Sequence, residues 1–312
     1  MSTGSHILSA ILQHLKKNSR KEGFDHLQFR RYLDNAARNF NIDPEVSFDT
    51  FHIDRIPSAW LTPPRALDKK VLLYLHGGGF NAGSIKSHRD IASRIAKATR
   101  HKTLVIEYRL APEHPFPAGL DDALDVYRWL LDHGRSPDNI VIAGDSAGGN
   151  LALSLMLKMK SLKISLPSKA VLISPWLDVG RHLQKDIPAY ARPYENPPVE
   201  DPMLYPSAIR HSARIYTGYD NDPGHPFISP LNGDLAGLPP MLIQAGTHEI
   251  LFPESVELER RAKAAGVPVS LEIWEGMFHV WHYFARYLLE GRQAIDNIGN
   301  WVDGQSGGTA GR

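Results

Sequence analysis

The chain of 312 residues contains no cysteine. Disulfide scaffolds, thiolate nucleophiles and zinc-thiolate sites are therefore excluded by composition. The same absence favours a reducing compartment, and a cytoplasmic protein is the expectation. An excess of charge of one sign is also missing: 35 basic against 34 acidic side chains leave a formal net charge of +1. Such a balance calls for no nucleic-acid or anionic-membrane partner. No run approaches the roughly 20 apolar residues of a membrane span. Residues Met1 to His6 carry no basic segment, and Ser9, Gln13 and His14 interrupt the apolar residues from Ile7 to Leu15, so no secretory leader is expected. Phosphate-binding and dinucleotide-binding glycine fingerprints do not occur, and Phe252 stands where a second histidine would complete a zinc-protease motif begun at His248-Glu249. No cofactor and no metal are expected.

What is present is the alternation of short β-branched runs with longer amphipathic stretches that marks an α/β protein. Strands are expected at Val71 to Leu75, Thr103 to Glu107, Asn139 to Ala143, Lys169 to Ile173, Met241 to Ala245 and Val269 to Trp274. Most are continuously apolar, as parallel strands buried on both faces must be. Helical patterns fall near Lys86 to Thr99, Leu120 to Asp132, Ala147 to Lys160, Pro253 to Ala265 and Val280 to Trp301. Two regions break the rhythm: residues 1–47, which read as two amphipathic helices, and residues 179–230, rich in Pro, Tyr and His. Together they suit a cap over the carboxyl ends of the strands, where open α/β sheets bind ligands. The catalytic body is then split into residues 48–178 and 231–303, with a flexible tail over 304–312.

The apolar run ending at Ala143 leads directly into Gly144-Asp145-Ser146-Ala147-Gly148 and then into the helical pattern from Leu151. A serine oxygen becomes an exposed nucleophile only on a sharp strand-to-helix turn, whose flanking residues must be small because strand and helix almost collide there. Ser146 is the candidate nucleophile. The amide of Ala147, at the positive end of the new helix, is aimed where negative charge would develop. The first central run ends in His76-Gly77-Gly78-Gly79-Phe80. Three consecutive glycines are entropically costly, and they fit a loop whose bare amides approach a substrate oxygen. Gly78 and Gly79 are the expected donors beside Ala147, with Gly77 as an alternative, and His76 as a brace for the loop.

Chain order selects the remaining partners, because this fold places serine, then acid, then histidine. His279 follows the last strand through Glu275-Gly276-Met277-Phe278, read as a loop, and His282 is the later rival. Glu249 is the first carboxylate beyond the run Met241 to Ala245, and Glu254 is its competitor. A buried acid there would hold the histidine tautomer and stabilise the imidazolium.

Taken together, His76-Gly77-Gly78-Gly79, Tyr108-Arg109-Leu110-Ala111-Pro112-Glu113, Gly144-Asp145-Ser146-Ala147-Gly148-Gly149-Asn150, Ser174-Pro175-Trp176 and the pair Glu249 and His279 resemble the hormone-sensitive-lipase-like branch of α/β-hydrolases over roughly residues 65–303. The resemblance implies an α/β-hydrolase fold with a mostly parallel sheet of about eight strands. It also implies an N-terminal helical cap completed by an insertion after the fourth parallel strand, and cofactor-free hydrolysis of small or short-acyl esters. Many members carry Asp as the acid; Glu249, with the segment Trp274 to Trp281, is similar to the monoterpene ε-lactone hydrolase subgroup. Its partner would be a small ester, and a homodimer is compatible with it. Two alternatives stay open: amide hydrolysis by the same triad, and a ligand-binding role such as that of the related gibberellin receptors, against which retention of His279 argues. Tyr190, Tyr194, Tyr205, Tyr216 and Tyr219 suit either an apolar pocket with hydroxyl contacts or simple packing of the cap.

Overall fold

Eight strands join into one sheet in the order β1-β2-β4-β3-β5-β6-β7-β8 in the computed structural model, which describes residues 26–184, 186, 188–191, 201–218 and 220–304. The strands are β1 (Ser47–Ile53), β2 (Ile56–Thr62), β3 (Val71–Leu75), β4 (Lys102–Ile106), β5 (Ile140–Asp145), β6 (Lys169–Ile173), β7 (Met241–His248) and β8 (Val269–Phe278). From β3 onward neighbouring strands are parallel, and β1 and β2 form an antiparallel hairpin that adds to β4. The α/β-hydrolase expectation is met, including the number of strands.

The period of two along each strand builds two cores. Leu73, Leu75, Ile140 and Ile142 face one layer, which holds α3 (Ala118–Asp132), α4 (Ala147–Ser161) and α6 (Phe252–Ala264). Leu72, Tyr74, Val141 and Ala143 face the other, which holds α2 (Ile85–Thr99) and α7 (Leu289–Val302). Burial on both faces is what makes the central strands apolar at every position.

Three expectations need correction. The β1–β2 hairpin falls in a stretch where no strand is expected: β1, Ser-Phe-Asp-Thr-Phe-His-Ile, is an exposed edge strand with only Ile53 fully buried, and β2, although interior and largely buried, has its apolar run broken by Pro57 and Ser58. Residues Glu275 to Phe278 are strand rather than loop, so His279 follows β8 immediately. The helix expected from Val280 is replaced by a 3-10 turn, Trp281–Phe284, and α7 begins only at Leu289. Val280 adopts a left-handed φ of 48°, and its amide is held by Ser174 Oγ at 3.1 Å, which prevents helical continuation and keeps His279 at the strand ends.

Of the expected cap, α1 (His26–Ala36) and α5 (Pro206–Thr217) are described. Residues 1–25, Tyr194, Tyr219 and the tail from 305 lie outside the described residues. No helix among the described residues is long and apolar enough to cross a membrane.

Candidate active site

Strand order positions the site. β3 pairs directly with both β4 and β5, so the sheet changes direction between β3 and β5, and the loops leaving these strands diverge to open a crevice. One of those loops is the glycine loop and the other carries Ser146. Ser146 has φ 52° and ψ −118°, a strained conformation for a residue with a side chain. The flanking glycines are obligatory here. A Cβ on Gly148 would lie 1.9 Å from the Leu75 carbonyl oxygen, and one on Gly144 would lie 2.4 Å from the Gly148 carbonyl. Two bonds lock the turn against β6 and its following loop: the Ser146 amide donates to the Ile173 carbonyl at 2.9 Å, and the Trp176 amide donates to the Ser146 carbonyl at 3.0 Å.

The glycine loop is tied to the same turn. Gly77 N–H is shared between Asp145 Oδ1 at 3.0 Å and His88 Nε2 at 3.1 Å, and a Cβ on Gly77 would run into the Asp145 carboxylate at 2.2 Å. The Gly77 amide is thus already committed. The amides of Gly78 and Gly79 have no hydrogen-bond partner among the described residues, and both residues line the cavity that Ser146 faces. Their φ values, 113° and 62°, are open to glycine at little cost. Ala147 opens α4, so its N–H has no partner within the helix.

Asp145 is the buried hub beneath these groups. Tyr74 Oη donates to its Oδ1 at 2.7 Å, Tyr283 Oη reaches its Oδ2 at 3.4 Å, and Tyr283 also bonds His88. Burial alone would raise its pKa, but His88 and the Tyr74 hydroxyl hold it below the ordinary carboxylate value. Sequence reasoning missed this hub. Asp145 sits at a variable position of the Gly-x-Ser-x-Gly pattern, and nothing in the linear order ties it to His88 and Tyr283. His76 packs under the loop, stacked on Tyr108 at 4.2 Å, with Nδ1 2.8 Å from the Gly77 carbonyl. Complete burial drives its pKa down to about 3.

His279 and Glu249 come together from the loops after β8 and β7. The buried Glu249 carboxylate can only accept, so His279 Nδ1 donates to its Oε2, at 3.3 Å. Oε1 accepts from Ser174 Oγ and from the Gly246 amide, both at 2.7 Å. Burial opposes the imidazolium, but the bond and charge of Glu249, with the charges of Asp201 and Asp145, outweigh it and raise the His279 pKa. The rival residues have other work. Glu254 Oε2 accepts the Asp178 amide at 2.9 Å and bonds the Leu177 amide, and its Oε1 lies 3.0 Å from His182 Nε2. His282 bonds Gln244 through Nε2 at 2.7 Å, and its burial lowers its pKa to about 3.

Ser146, His279, Gly78 and Gly79 open onto one cavity of about 880 Å³. Its remaining wall is largely apolar, with Phe29, Tyr32 and Leu33 from α1, Leu204, Tyr205 and Ile209 from α5 and the residues just before it, and Trp176, Val280 and Phe284 from the segments after β6 and β8. A serine on a strained turn, a histidine oriented by a buried carboxylate and free amides around one apolar cavity are the parts that acyl transfer requires. Residues 72–283 match the alpha/beta hydrolase fold family Abhydrolase_3. This chain belongs to that family. The α/β-hydrolase is 39% identical to an acetyl-hydrolase of Streptomyces hygroscopicus over 86% of its own length and 85% of that protein. It is 33% identical to an esterase of Acinetobacter venetianus, covering 88% and 87% of the two chains. The fold superposes on a crystal structure of an esterase from the bacterial hormone-sensitive lipase family with a TM-score of 0.88, at 35% identity, over 98% of this chain and 99% of the other. The α/β-hydrolase is a carboxylesterase-type enzyme of that hormone-sensitive-lipase group.

Proposed function

We propose that this enzyme hydrolyses small or short-acyl carboxylic esters through an acyl-enzyme on Ser146. His279 acts as general base, Glu249 orients it, and the amides of Gly78, Gly79 and Ala147 receive the oxyanion. In the first step Ser146 Oγ attacks the ester carbonyl while its proton passes to His279; the proton then goes to the departing alkoxide, and water repeats the sequence to release the acid. The reading rests on one juxtaposition: Ser146 on its strained turn, His279 bonded to Glu249, and two glycine residues whose amides are unpartnered among the described residues, with Ser146, His279 and both glycines lining one cavity. The acetyl-hydrolase and esterase relatives support the same class of bond. Lactones, as cyclic esters, are open to the same attack. We assign residues 1–47 and 179–230 to the cap and residues 48–178 and 231–303 to the catalytic body, and the lack of cysteine supports action in the cytoplasm.

Replacing Ser146 by Ala should lower turnover of p-nitrophenyl acetate by roughly 10⁴-fold or more, since triad members act as a unit. Wild-type rates in Ser146→Ala, measured by p-nitrophenol release, would remove the nucleophile from the mechanism.

A further inference from the structure

Asp201 is a buried acid of the cap insertion, 5% exposed, that the triad chemistry leaves unexplained. Its two oxygens point to different parts of the molecule. Oδ1 accepts the amides of Met203 at 2.8 Å and Leu204 at 3.2 Å and so shapes the cap chain leading into α5. Oδ2 accepts the amide of Ile250 at 3.2 Å, and Ile250 is the residue that follows Glu249. One carboxylate therefore fastens the cap to the loop that carries the acid of the triad.

No ion pair involves Asp201 among the described residues, and a buried carboxylate without a cation is unfavourable. The titratable groups that act on it come from the two loops it faces. His279 favours its ionised form and Glu249 opposes it. Burial raises its pKa to about 6, so above that pH it is an anion. The one cation that chemistry would create nearby is the imidazolium of His279, formed when the serine proton is taken. A negative charge fixed in advance on the amide of the residue after Glu249, and acting on that ring, stabilises the transition state more than the ground state.

We infer that Asp201 is a positioning residue of the esterase site, holding the Glu249 loop through the Ile250 amide and supplying a second negative charge to His279 as it takes the serine proton. The inference rests on the serine-esterase reading. Asp201 itself exchanges no proton in the step: the Ser146 proton moves to His279, and the carboxylate stays ionised. Because the charge is carried by the cap, the basicity of His279 depends on the cap being docked.

The test is the pH profile of kcat/KM for p-nitrophenyl acetate with the full-length enzyme, its Asp201→Asn and Asp201→Glu variants, and Ser146→Ala as reference. In Asp201→Asn the acid limb should move to lower pH by about half a unit or more, because His279 loses a neighbouring anion, and the plateau should fall about tenfold through kcat. Asp201→Glu, which keeps the charge, should hold the limb near its wild-type position. An Asp201→Asn enzyme whose activity falls equally at every pH, with its limb unmoved, would overturn the inference and leave Asp201 a simple tether. If Asp201→Asn does not fold, the titration of His279 in the wild-type enzyme, assigned by NMR against a His279→Gln variant, decides: a second inflection near pH 6 supports the coupling, and a single-proton curve overturns it. Turnover by Ser146→Ala would defeat the esterase reading itself, whereas a dead Ser146→Ala beside an unshifted Asp201→Asn defeats only the role of Asp201.

Discussion

At the scale of single residues, catalysis depends on environments that move ordinary side chains away from their usual behaviour. Ser146 is ordinary chemically, and its place on the cavity wall comes from a backbone that only small neighbours permit. His279 is held above the ordinary histidine value of 6.5 because nearby carboxylates outweigh the effect of its burial. The sign follows directly. The proton stays on His279 until the pH rises above 6.5, and in the proposed mechanism only the free base accepts the serine proton, so the acid limb of kcat/KM should have its midpoint above 6.5. A midpoint below that value, measured with p-nitrophenyl acetate under kcat/KM conditions, would contradict the arrangement. The same shift contributes stability that is fully present below pH 6.5 and is lost as the pH rises through the raised value.

At the scale of elements, the loop between β7 and α6 and the first turn of that helix carry two buried glutamates with separate duties. Glu249 faces His279, whereas Glu254 gathers the backbone amides of Leu177 and Asp178 and the side chain of His182, bracing the chain that leaves β6. The two positions should therefore respond differently to substitution. Glu249→Gln keeps the volume but loses the carboxylate, and kcat should fall roughly 10⁴-fold with a smaller loss of Tm than a truncation at Glu254. Glu254→Ala leaves buried amides and His182 unpaired, and it should cost about 3–5 kcal/mol of stability. Thermal melts beside steady-state rates separate the two. A Glu254 variant that melts normally but loses activity as Glu249→Gln does would reverse the assignment.

At the scale of the whole molecule, α1 closes the cavity without burying any of its own residues completely. Phe29, Tyr32 and Leu33 turn toward the cavity, and the helix is held from one side by Arg30. That guanidinium donates to the Asn81 carbonyl at 2.7 Å, to the Ala111 carbonyl at 2.8 Å and to both oxygens of Glu113. The Asn81 bond links α1 to the glycine loop, and Asn81 Nδ2 donates to Ser212 Oγ of α5 at 3.1 Å, so α1 and α5 both meet the glycine loop through Asn81. Arg30→Ala should loosen this wall. A charge-assisted bond contributes about 1.5–3 kcal/mol, so KM for esters with acyl chains long enough to touch α1 should rise roughly tenfold, while acetate esters change less. Equal KM changes across an acyl-length series would show that α1 does not line the acyl path.

Much of this was legible in the residues alone. The buried strands declare themselves by continuous apolar runs, and the Ser146 turn by glycines whose replacement would drive a Cβ into neighbouring backbone. Chain order ranks Glu249 and His279 ahead of their rivals, since connectivity in this fold is linear information. Strand β1 was hidden because an edge strand half in water needs no strong hydrophobic signature, and β2, although interior and largely buried, because Pro57 and Ser58 interrupt its apolar run. The roles of Asp145, His88, Tyr283 and Asp201 were hidden for a different reason. Each acts through partners distant in sequence, such as Tyr283 and Asp145 at a separation of 138 residues, and no period or spacing encodes such a meeting. The sequence determined the reaction type and the order of its parts, because turn sterics and strand connectivity are local or linear. Which carboxylate reaches His279, which amides remain free and what the cavity wall is made of were decided only by tertiary packing, where residues far apart compete for the same space and hydrogen bonds.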